Sequence, residues 1–318
     1  EFRRVLFRSK QESTVSQGEE EMKKELLMDT SFQNGFELLT TSTENGRKLS
    51  GVLDYHGEAK GDKPYWQMSQ WWSHRDFIDA SFKKDDEGIF EYQNDSRHLL
   101  VNQNESLIQM DLDSSVEYNA LYGRTRTPSE SWSHFLIEQS FVEPQYLNKL
   151  NSIIVHLEFV INKSIDKDEG QEVPCSQVTW YFTITDVKND NPTYESGNND
   201  FFWFGLPLYD SRFEFINGYK NVDAGFEGAT NKLIYSLDNS LYFKESVKIG
   251  KKYSLDLDIL PYIKEAYLYG LERGAMPHSS WKDLCINYMN LGWELPGAFD
   301  VSLSVSNLSV KCDFKEGK

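Results

Sequence analysis

Three segments of this chain carry aromatic, imidazole, hydroxyl or carboxylate side chains on one face of a predicted strand. Residues 132–141, 153–161 and 178–184 alternate with a period of two, so each segment places apolar side chains on one face and a mixed set on the other. Aromatic rings stack on sugar rings, and the polar groups can form hydrogen bonds with sugar hydroxyls. The mixed faces contain Trp132, His134, Glu138, His156, Glu158 and Tyr181.

The C-terminal part of the chain supplies one more carboxylate in similar surroundings. Along the strand predicted for residues 286–294, one face carries Tyr288, Asn290 and Glu294. A Pro-Gly turn follows, and residues 301–305 again alternate between apolar and polar side chains. The apolar positions resume one residue out of phase at Leu308 and Val310, which predicts a β-bulge near Ser306 and Asn307. The pattern predicts a hairpin that presents Glu294 at a strand end.

Two interpretations of these mixed faces stay open. Charged side chains of an antiparallel sheet usually face solvent, and a single histidine is more often structural than catalytic. In the tryptophan-rich segment 65–72, Trp72 likewise either packs in the core or lines a cleft. Solvent faces are usually rich in Lys, Glu and Thr, whereas these faces hold Trp, His and Tyr. The composition therefore favours a surface that binds saccharides.

Short apolar runs separated by turn residues predict the elements that must position these side chains. Their length and spacing are typical of an antiparallel sandwich. One helix is predicted near residues 259–273, where Leu260, Ile263, Tyr267 and Leu271 share a face. The predicted fold class is therefore all-β, an antiparallel two-sheet jelly-roll sandwich with one packed helix. The strands are predicted over residues 36–41, 48–55, 65–72, 89–92, 98–101, 107–112, 116–122, 132–142, 153–162, 178–185, 201–208 and 232–236.

The chain of 318 residues is predicted to contain a single jelly-roll domain over residues 31–314. The first nine residues, EFRRVLFRS, resemble a translated sequencing adapter and do not enter the fold prediction. Residues 10–30 are polar and charged, which predicts a disordered or helical tether. We expect the reading frame to be truncated at its start, and an extracellular or cell-surface location would suit a saccharide ligand.

Composition excludes several other classes of partner. The formal net charge of -17 argues against nucleic acid, because affinity for phosphate backbones depends on clustered Lys and Arg. No apolar run approaches the roughly 20 residues of a membrane-spanning helix. The odd set Cys175, Cys285 and Cys312 lacks paired CxxC spacing, so neither a zinc site nor a disulfide framework is predicted, although a single bridge stays open. No nucleotide or metal motif is present, and we predict no cofactor and no metal among the site residues, while a structural calcium elsewhere stays open.

Three segments resemble glycoside hydrolase family 12, a group of compact jelly-roll β-glucan hydrolases. Residues 156–161, HLEFVI, resemble the family's strand that carries a nucleophilic Glu within an apolar run. Residues 255–263, LDLDILPYI, are similar to its strand-to-helix Asp-Leu segment. Residues 291–297, LGWELPG, resemble its Gly-x-Glu-Pro-Phe turn, which bears the acid/base Glu and precedes a serine-rich closing strand.

This resemblance implies a retaining glycoside hydrolase with Glu158 as nucleophile and Glu294 as acid/base. Glu138 is a further candidate for either role, since it shares a face with His134 and Trp132. A retaining mechanism requires two carboxyl groups about 5–5.5 Å apart. We therefore expect the carboxyl groups of Glu158 and Glu294 to face one cleft.

Three functions remain in view at this point. The principal prediction is a protein that binds a polysaccharide or oligosaccharide through a polar, aromatic groove. The second is retaining hydrolysis of a β-glucan-like substrate, and the third is a structural or protein-interaction sandwich without a small ligand. The groove is predicted to contain Trp72, Trp132, His134, His156, Tyr181, Tyr288 and Asn290.

Overall fold

The computed structural model describes residues 23–41, 47–187, 200–224 and 229–315, and strands are the main regular element among them. Two α-helices, α1 (Ser114–Tyr122) and α2 (Leu260–Glu272), and 3-10 helices at Phe77–Asp79, Leu147–Lys149, Asn239–Leu241 and Trp281–Asp283 complete the described elements. The strands are β1 (Lys23–Glu25), β2 (Phe36–Leu39), β3 (Leu49–Leu53), β4 (Trp66–Ser69), β5 (Ser81–Lys84), β6 (Phe90–Gln93), β7 (Arg97–Asn102), β8 (Leu107–Asp113), β9 (Ser133–Tyr146), β10 (Leu150–Asp166), β11 (Gln177–Asp186), β12 (Phe201–Asp210), β13 (Tyr219–Val222), β14 (Leu233–Ser236), β15 (Lys252–Asp258), β16 (Leu284–Leu295) and β17 (Phe299–Phe314).

The strands form two sheets that pack face to face. The eight-stranded sheet has the order β15-β10-β17-β8-β7-β6-β5, with β1 paired to β17. The nine-stranded sheet has the order β13-β14-β12-β11-β16-β9-β4-β2-β3. Among the described strands, the pairs β2–β4 and β12–β14 are parallel and the other neighbours are antiparallel. The predicted two-sheet jelly-roll sandwich is confirmed.

The core lies between the two sheets and follows the period-two alternation. On β10, the side chains of Val155, Leu157 and Phe159 are buried in it, as are Trp180 of β11 and Trp293 of β16. Because one face of each central strand is apolar, packing the sheets about 10 Å apart removes both apolar faces from water. The opposite face of each sheet is then the surface available to ligands.

The predicted hairpin over residues 286–310 is wrong. Strand β16 belongs to the nine-stranded sheet and β17 to the eight-stranded sheet, so the Pro296–Gly297 turn crosses the sandwich. The turn is tightly packed, since a Cβ at Gly297 would lie 2.5 Å from the carbonyl oxygen of Val173. Alternation identifies the inward-facing residues of both strands. These residues enter the same core from the two opposite sheets.

Residues 116–122 form a helix and not the predicted strand. Helix α1 starts after Asp113, whose carboxylate accepts a hydrogen bond from the backbone N–H of Ser115, and it ends at Gly123 with φ of +67°. These are ordinary capping residues at both ends of a helix. The helix buries the polar residue Glu117. Its sequence therefore lacks the apolar stripe by which an amphipathic helix is recognised.

The N-terminal segment also differs from its prediction where it is described. Residues 1–22 lie outside the described residues, but β1 pairs with β17, and Leu26 and Leu27 are buried in the core. Residues 23–30 are therefore part of the sandwich and not a tether. The assignment of residues 31–314 to one domain stays a prediction.

Helix α2 confirms the predicted helix near residues 259–273. Leu260, Ile263 and Tyr267 are buried, and the Asp258 carboxylate accepts a hydrogen bond from the Leu260 backbone N–H over 3.1 Å. Within the described ranges, no helix has the length and apolar character needed to cross a membrane.

Candidate functional site

Strands β9, β16 and β11 lie side by side near the middle of the nine-stranded sheet, and each turns its apolar set into the core. We call the side of this sheet that faces away from the core the outer face. Both carboxylates that the sequence placed on β9 and β16 lie on it. On these three strands the outer face carries His134, Leu136, Glu138, Tyr288, Asn290, Gly292, Glu294, Gln177, Thr179, Tyr181 and Thr183.

Glu294 lies in the middle of a row of three polar side chains on the outer face. In the strand register it is opposite Gln177 on β11 and His134 on β9. The Gln177 Nε2 donates a hydrogen bond to Glu294 Oε2 over 3.0 Å. The His134 Nε2 lies 4.0 Å from Glu294 Oε1, and the Glu294 side chain is 16% exposed. A ligand on the outer face can therefore reach this carboxyl group.

The surroundings of Glu294 favour its protonated form. Burial raises the pKa of Glu294 to about 7, the hydrogen bond from Gln177 opposes this rise, and the negative charge of Asp223 adds to it. Both protonation states are therefore populated near neutral pH. Such a carboxyl group can donate a hydrogen bond to a ligand, or a proton to a leaving group.

His134 is neutral at physiological pH. Burial lowers its pKa to about 4, hydrogen bonds with the backbone of Trp132 and Trp71 oppose this, and the charges of Arg97 and Arg126 lower it further. A neutral imidazole offers one donor and one acceptor. His134 therefore adds polar contacts to the row without adding charge.

Trp132 lies next to this row. Its half-buried ring meets the His134 ring edge-on, with 6.3 Å between the centroids. The Arg126 guanidinium lies 5.9 Å from the Trp132 ring centroid. The Glu294 end of the outer face thus combines a carboxyl group, an amide and an imidazole with a partly exposed aromatic ring.

Tyr181, Asn290 and Glu138 form a second row, four residues farther along the strands. Tyr181 is half-buried, and its ring packs edge-on against Trp203 at 6.1 Å between centroids. Asn290 is 8% exposed, and no described residue donates a hydrogen bond to its Oδ1. Buried acceptors normally have a donor, so this one is placed as expected for contact with a ligand hydroxyl.

Gly292 separates the two rows. Its φ is +152°, and a Cβ at this position would lie 2.3 Å from the carbonyl oxygen of Phe135. Only glycine therefore lets β9 and β16 approach as they do here. The absence of a side chain at Gly292 leaves a low floor on the outer face between Thr179 and Leu136, its neighbours in the register.

Glu138 is engaged in a buried ion pair and lies far from Glu294. Its carboxylate pairs with the Arg47 guanidinium and accepts a hydrogen bond from the Ser69 hydroxyl. Glu138 is opposite Asn290, which is four residues or about 13 Å along β16 from Glu294. This exceeds the carboxyl separation of retaining or inverting glycosidases, so Glu138 is not placed to act with Glu294.

Arg47 covers the outer face beside Glu138. Its guanidinium lies 5.4 Å from the ring centroid of Trp71 and 5.6 Å from that of Tyr288. Trp203 packs edge-on against Tyr288, which is only 2% exposed. The structure therefore removes Tyr288 from the surface that a ligand can contact.

The predicted pairing of Glu158 with Glu294 is wrong. Glu158 lies on β10 of the eight-stranded sheet and points away from the core, where Lys252 Nζ lies 2.6 Å from its Oε2 and Asn307 donates a hydrogen bond over 2.8 Å. The whole core separates this carboxylate from the outer face of the other sheet. Glu158 is partly exposed, and its hydrogen-bonded salt bridge with Lys252 lowers its pKa.

His156 lies away from the Glu294 row. It is on the same exposed surface as Glu158, with its Nδ1 3.3 Å from Asp256 Oδ2, so its placement in the groove was wrong. Trp72 is half-buried and packs against the cluster of Leu39, Trp71 and Leu136. The carbonyl of Trp71 accepts a hydrogen bond from the His134 backbone N–H over 3.0 Å, so the chain at Trp72 runs next to the His134 end of the row.

Sequence analysis missed three residues of this region. Gln177 was missed because the strand was predicted to begin one residue later, at Val178. Asp223 and Arg47 lie in connections between strands, which carry no periodic signal. The Asp223 carboxylate accepts hydrogen bonds of 2.7 Å from the backbone and the hydroxyl of Thr230.

The outer face shows no centre for a metal ion. No cluster of three or more His, Cys, Asp or Glu side chains that could hold a metal occurs within the described ranges.

Cys175, Cys285 and Cys312 are buried as free thiols, and burial raises the pKa of each to about 12. They are therefore protonated and unreactive at neutral pH.

No protein-family model matches the chain, and no curated protein matches it at a significant level. Among solved structures, it is similar to the native family 12 xyloglucanase from Bacillus licheniformis, at 12% identity and a TM-score of 0.42 over 73% of this chain and 97% of that chain. It is also similar to endoglucanase Cel12A from Rhodothermus marinus, at 10% identity and a TM-score of 0.40 over 74% and 97% of the two chains. The resemblance to glycoside hydrolase family 12 is thus distant.

Proposed function

We propose that this protein binds a saccharide at the Glu294 end of the outer face. The observation that carries the proposal is the row of Gln177, Glu294 and His134 beside the partly exposed ring of Trp132. The row supplies hydrogen-bond donors and acceptors without a fixed full charge, and the ring supplies a stacking surface. This combination suits a neutral ligand that is rich in hydroxyl groups.

Asn290 and Tyr181 extend the same surface. The Asn290 Oδ1 is a buried acceptor to which no described residue donates, and the half-buried ring of Tyr181 lies on the neighbouring strand. The low floor at Gly292 lies between these groups and Glu294. A sugar ring above Gly292 would therefore have polar partners on both sides. The net charge of -17 disfavours strongly anionic glycans.

Binding is favoured over retaining hydrolysis because the direct neighbour of Glu294 is an amide. Double displacement requires a carboxylate about 5–5.5 Å from the acid/base. The position opposite Glu294 on β11 is occupied by Gln177, which cannot act as a nucleophile of that kind. On β9 the opposite residue is His134, whose burial keeps it neutral.

Hydrolysis by another pair of carboxyl groups is the second candidate function. It is supported by the Glu294 pKa of about 7, which suits a general acid, and by the charge of Asp223 acting on Glu294. Asp223 would then be the second carboxylate. Release of reducing ends that is lost in both Glu294→Gln and Asp223→Asn would establish this reaction.

Affinity electrophoresis against soluble glucans, xylans and pectins tests the proposed binding. We expect retardation by at least one neutral glycan and weaker retardation of Trp132→Ala and Tyr181→Ala. Circular dichroism should show that both variants remain folded. Unretarded migration on every glycan would contradict the proposal and favour a structural or protein-interaction role.

A further inference from the structure

We infer that Arg47 confines the ligand site to the Glu294 half of the outer face, so that the protein holds a short saccharide or a chain end and not the middle of a long polysaccharide. This inference rests on the proposed saccharide binding and specifies the length of the ligand. It follows because Arg47 covers the half of the outer face around Glu138 and leaves the half around Glu294 partly exposed.

The half of the outer face around Glu138 is closed. The Arg47 side chain is 11% exposed and the Glu138 side chain 1% exposed. Arg47 also lies within 3.2 Å of Gln67 Oε1 and over the rings of Trp71 and Tyr288. A sugar ring cannot stack on Tyr288 while the guanidinium occupies that position.

A ligand cannot displace Arg47 easily. Its guanidinium neutralises the buried carboxylate of Glu138, and moving it away would leave a buried charge without a partner. Stacking of one more sugar ring on Tyr288 is a smaller gain than this loss. The closure is therefore a persistent feature of the folded protein and not a side chain that waits for a ligand.

The half around Glu294 is open by comparison. Trp132, His134, Gln177 and Glu294 are all partly exposed there. Along the strands, the open half extends from Glu294 to the row of Asn290, a distance of four residues or about 13 Å. This is room for about two sugar rings in contact with the protein.

The dependence of affinity on ligand length tests the inference. Isothermal titration calorimetry would measure the unaltered protein with neutral oligosaccharides of about two to six units, taken from the glycan that retards it in electrophoresis. We expect affinity to stop rising beyond about three units. An affinity that rises with each added unit up to six would overturn the inference while leaving saccharide binding intact. Failure of every oligosaccharide to bind would overturn both.

A paired substitution tests the role of Arg47 itself. The variant Arg47→Met with Glu138→Gln removes both charges and leaves no uncompensated carboxylate. We expect the ratio of its affinities for the longest and the shortest oligosaccharide to be about threefold larger than the same ratio in the unaltered protein. Arg273→Met, at an exposed position directly after α2, is the control and should leave the length dependence unchanged. If the paired variant folds and its affinity still stops rising beyond about three units, the assignment to Arg47 is overturned. If the paired variant does not fold, the length dependence of the unaltered protein decides whether the inference holds.

Discussion

Gln177 on β11 donates a hydrogen bond of 3.0 Å to Glu294, its direct cross-strand neighbour on β16. An amide therefore occupies the position where a second carboxylate would create an acidic pair. The bond stabilises the ionised form of Glu294 against the effect of burial, and it holds the carboxyl group in place on the outer face.

The substitution Gln177→Glu should replace this hydrogen bond with a pair of coupled carboxyl groups. Two carboxylates at adjacent positions cannot both ionise easily, so the pair should titrate with an upper apparent pKa above the value of about 7 for Glu294 alone. Carbon-13 NMR of the labelled glutamate carboxyl groups would measure this titration. Gln177→Met, which removes the bond without adding charge, is the control, and an upper apparent pKa of 7 or below in Gln177→Glu would contradict the expected coupling.

Glu294 and His134 should affect stability with opposite dependence on pH. The pKa of Glu294 rises from 4.5 to about 7 on folding, so the folded state holds that proton more tightly and stability falls as pH rises through this window. The pKa of His134 falls from 6.5 to about 4, so its contribution is lost as pH falls through that window. Each effect is about 3 kcal/mol, and the two largely cancel in the intact protein between about pH 4.5 and 6.5.

Single variants should reveal these opposing contributions. In Glu294→Gln the free energy of unfolding should rise with pH between about 4 and 6.5, because only the His134 effect remains. In His134→Gln it should fall between about pH 4.5 and 7. Urea denaturation at a series of pH values would measure both, and parallel pH profiles in the two variants would rule out the opposing shifts.

Arg97 and Glu117 form a buried ion pair that contacts the backbone of His134 in the candidate site. The Arg97 Nη1 lies 2.7 Å from Glu117 Oε1 with both side chains 0% exposed, and Arg97 Nη2 donates to the carbonyl of His134 over 3.1 Å. Arg97→Met should cost about 3–5 kcal/mol because Glu117 is left buried and uncompensated. The double variant Arg97→Met/Glu117→Leu should recover most of that loss in chemical denaturation. A single variant within about 1 kcal/mol of the unaltered protein would show that the pair is not needed.

Gly292 should be sensitive even to a single methyl group. In Gly292→Ala the new Cβ would lie 2.3 Å from the carbonyl oxygen of Phe135, at a φ of +152° that side chains disfavour. We expect a loss of at least about 2 kcal/mol, measured by thermal and urea unfolding. Gly170→Ala is the control, since its Cβ would have its nearest neighbour at 3.5 Å. Equal stability of the two variants would contradict the tight approach of β9 and β16.

The sequence predicted the fold class because period-two alternation depends only on which side of a strand is apolar. This signal identified the inward faces of β10, β11 and β16, and it placed Tyr288, Asn290 and Glu294 together. The same signal cannot tell which sheet a strand joins. Glu158 and Glu294 both point away from the core, and alternation alone does not distinguish the two outward surfaces of a sandwich.

The contacts that shape the candidate site come largely from positions without a periodic signal. Arg47 and Asp223 lie outside strands, and their partners Glu138 and Thr230 are recognisable only in three dimensions. Charge pairs between residues that are far apart in the chain produce no recognisable pattern in the sequence. The same holds for Arg97 with Glu117, which lie 20 residues apart and on different types of element.

Matched variants on the two sheets decide whether a saccharide binds at the Glu294 end of the outer face. Calorimetric titration of one neutral glycan should show that Trp132→Ala loses about tenfold or more in affinity, the usual effect of truncating an aromatic anchor. His156→Ala, on the exposed surface of the eight-stranded sheet, should bind within about twofold of the unaltered protein. Equal affinity for Trp132→Ala and the unaltered protein, together with a loss in His156→Ala, would contradict the claim.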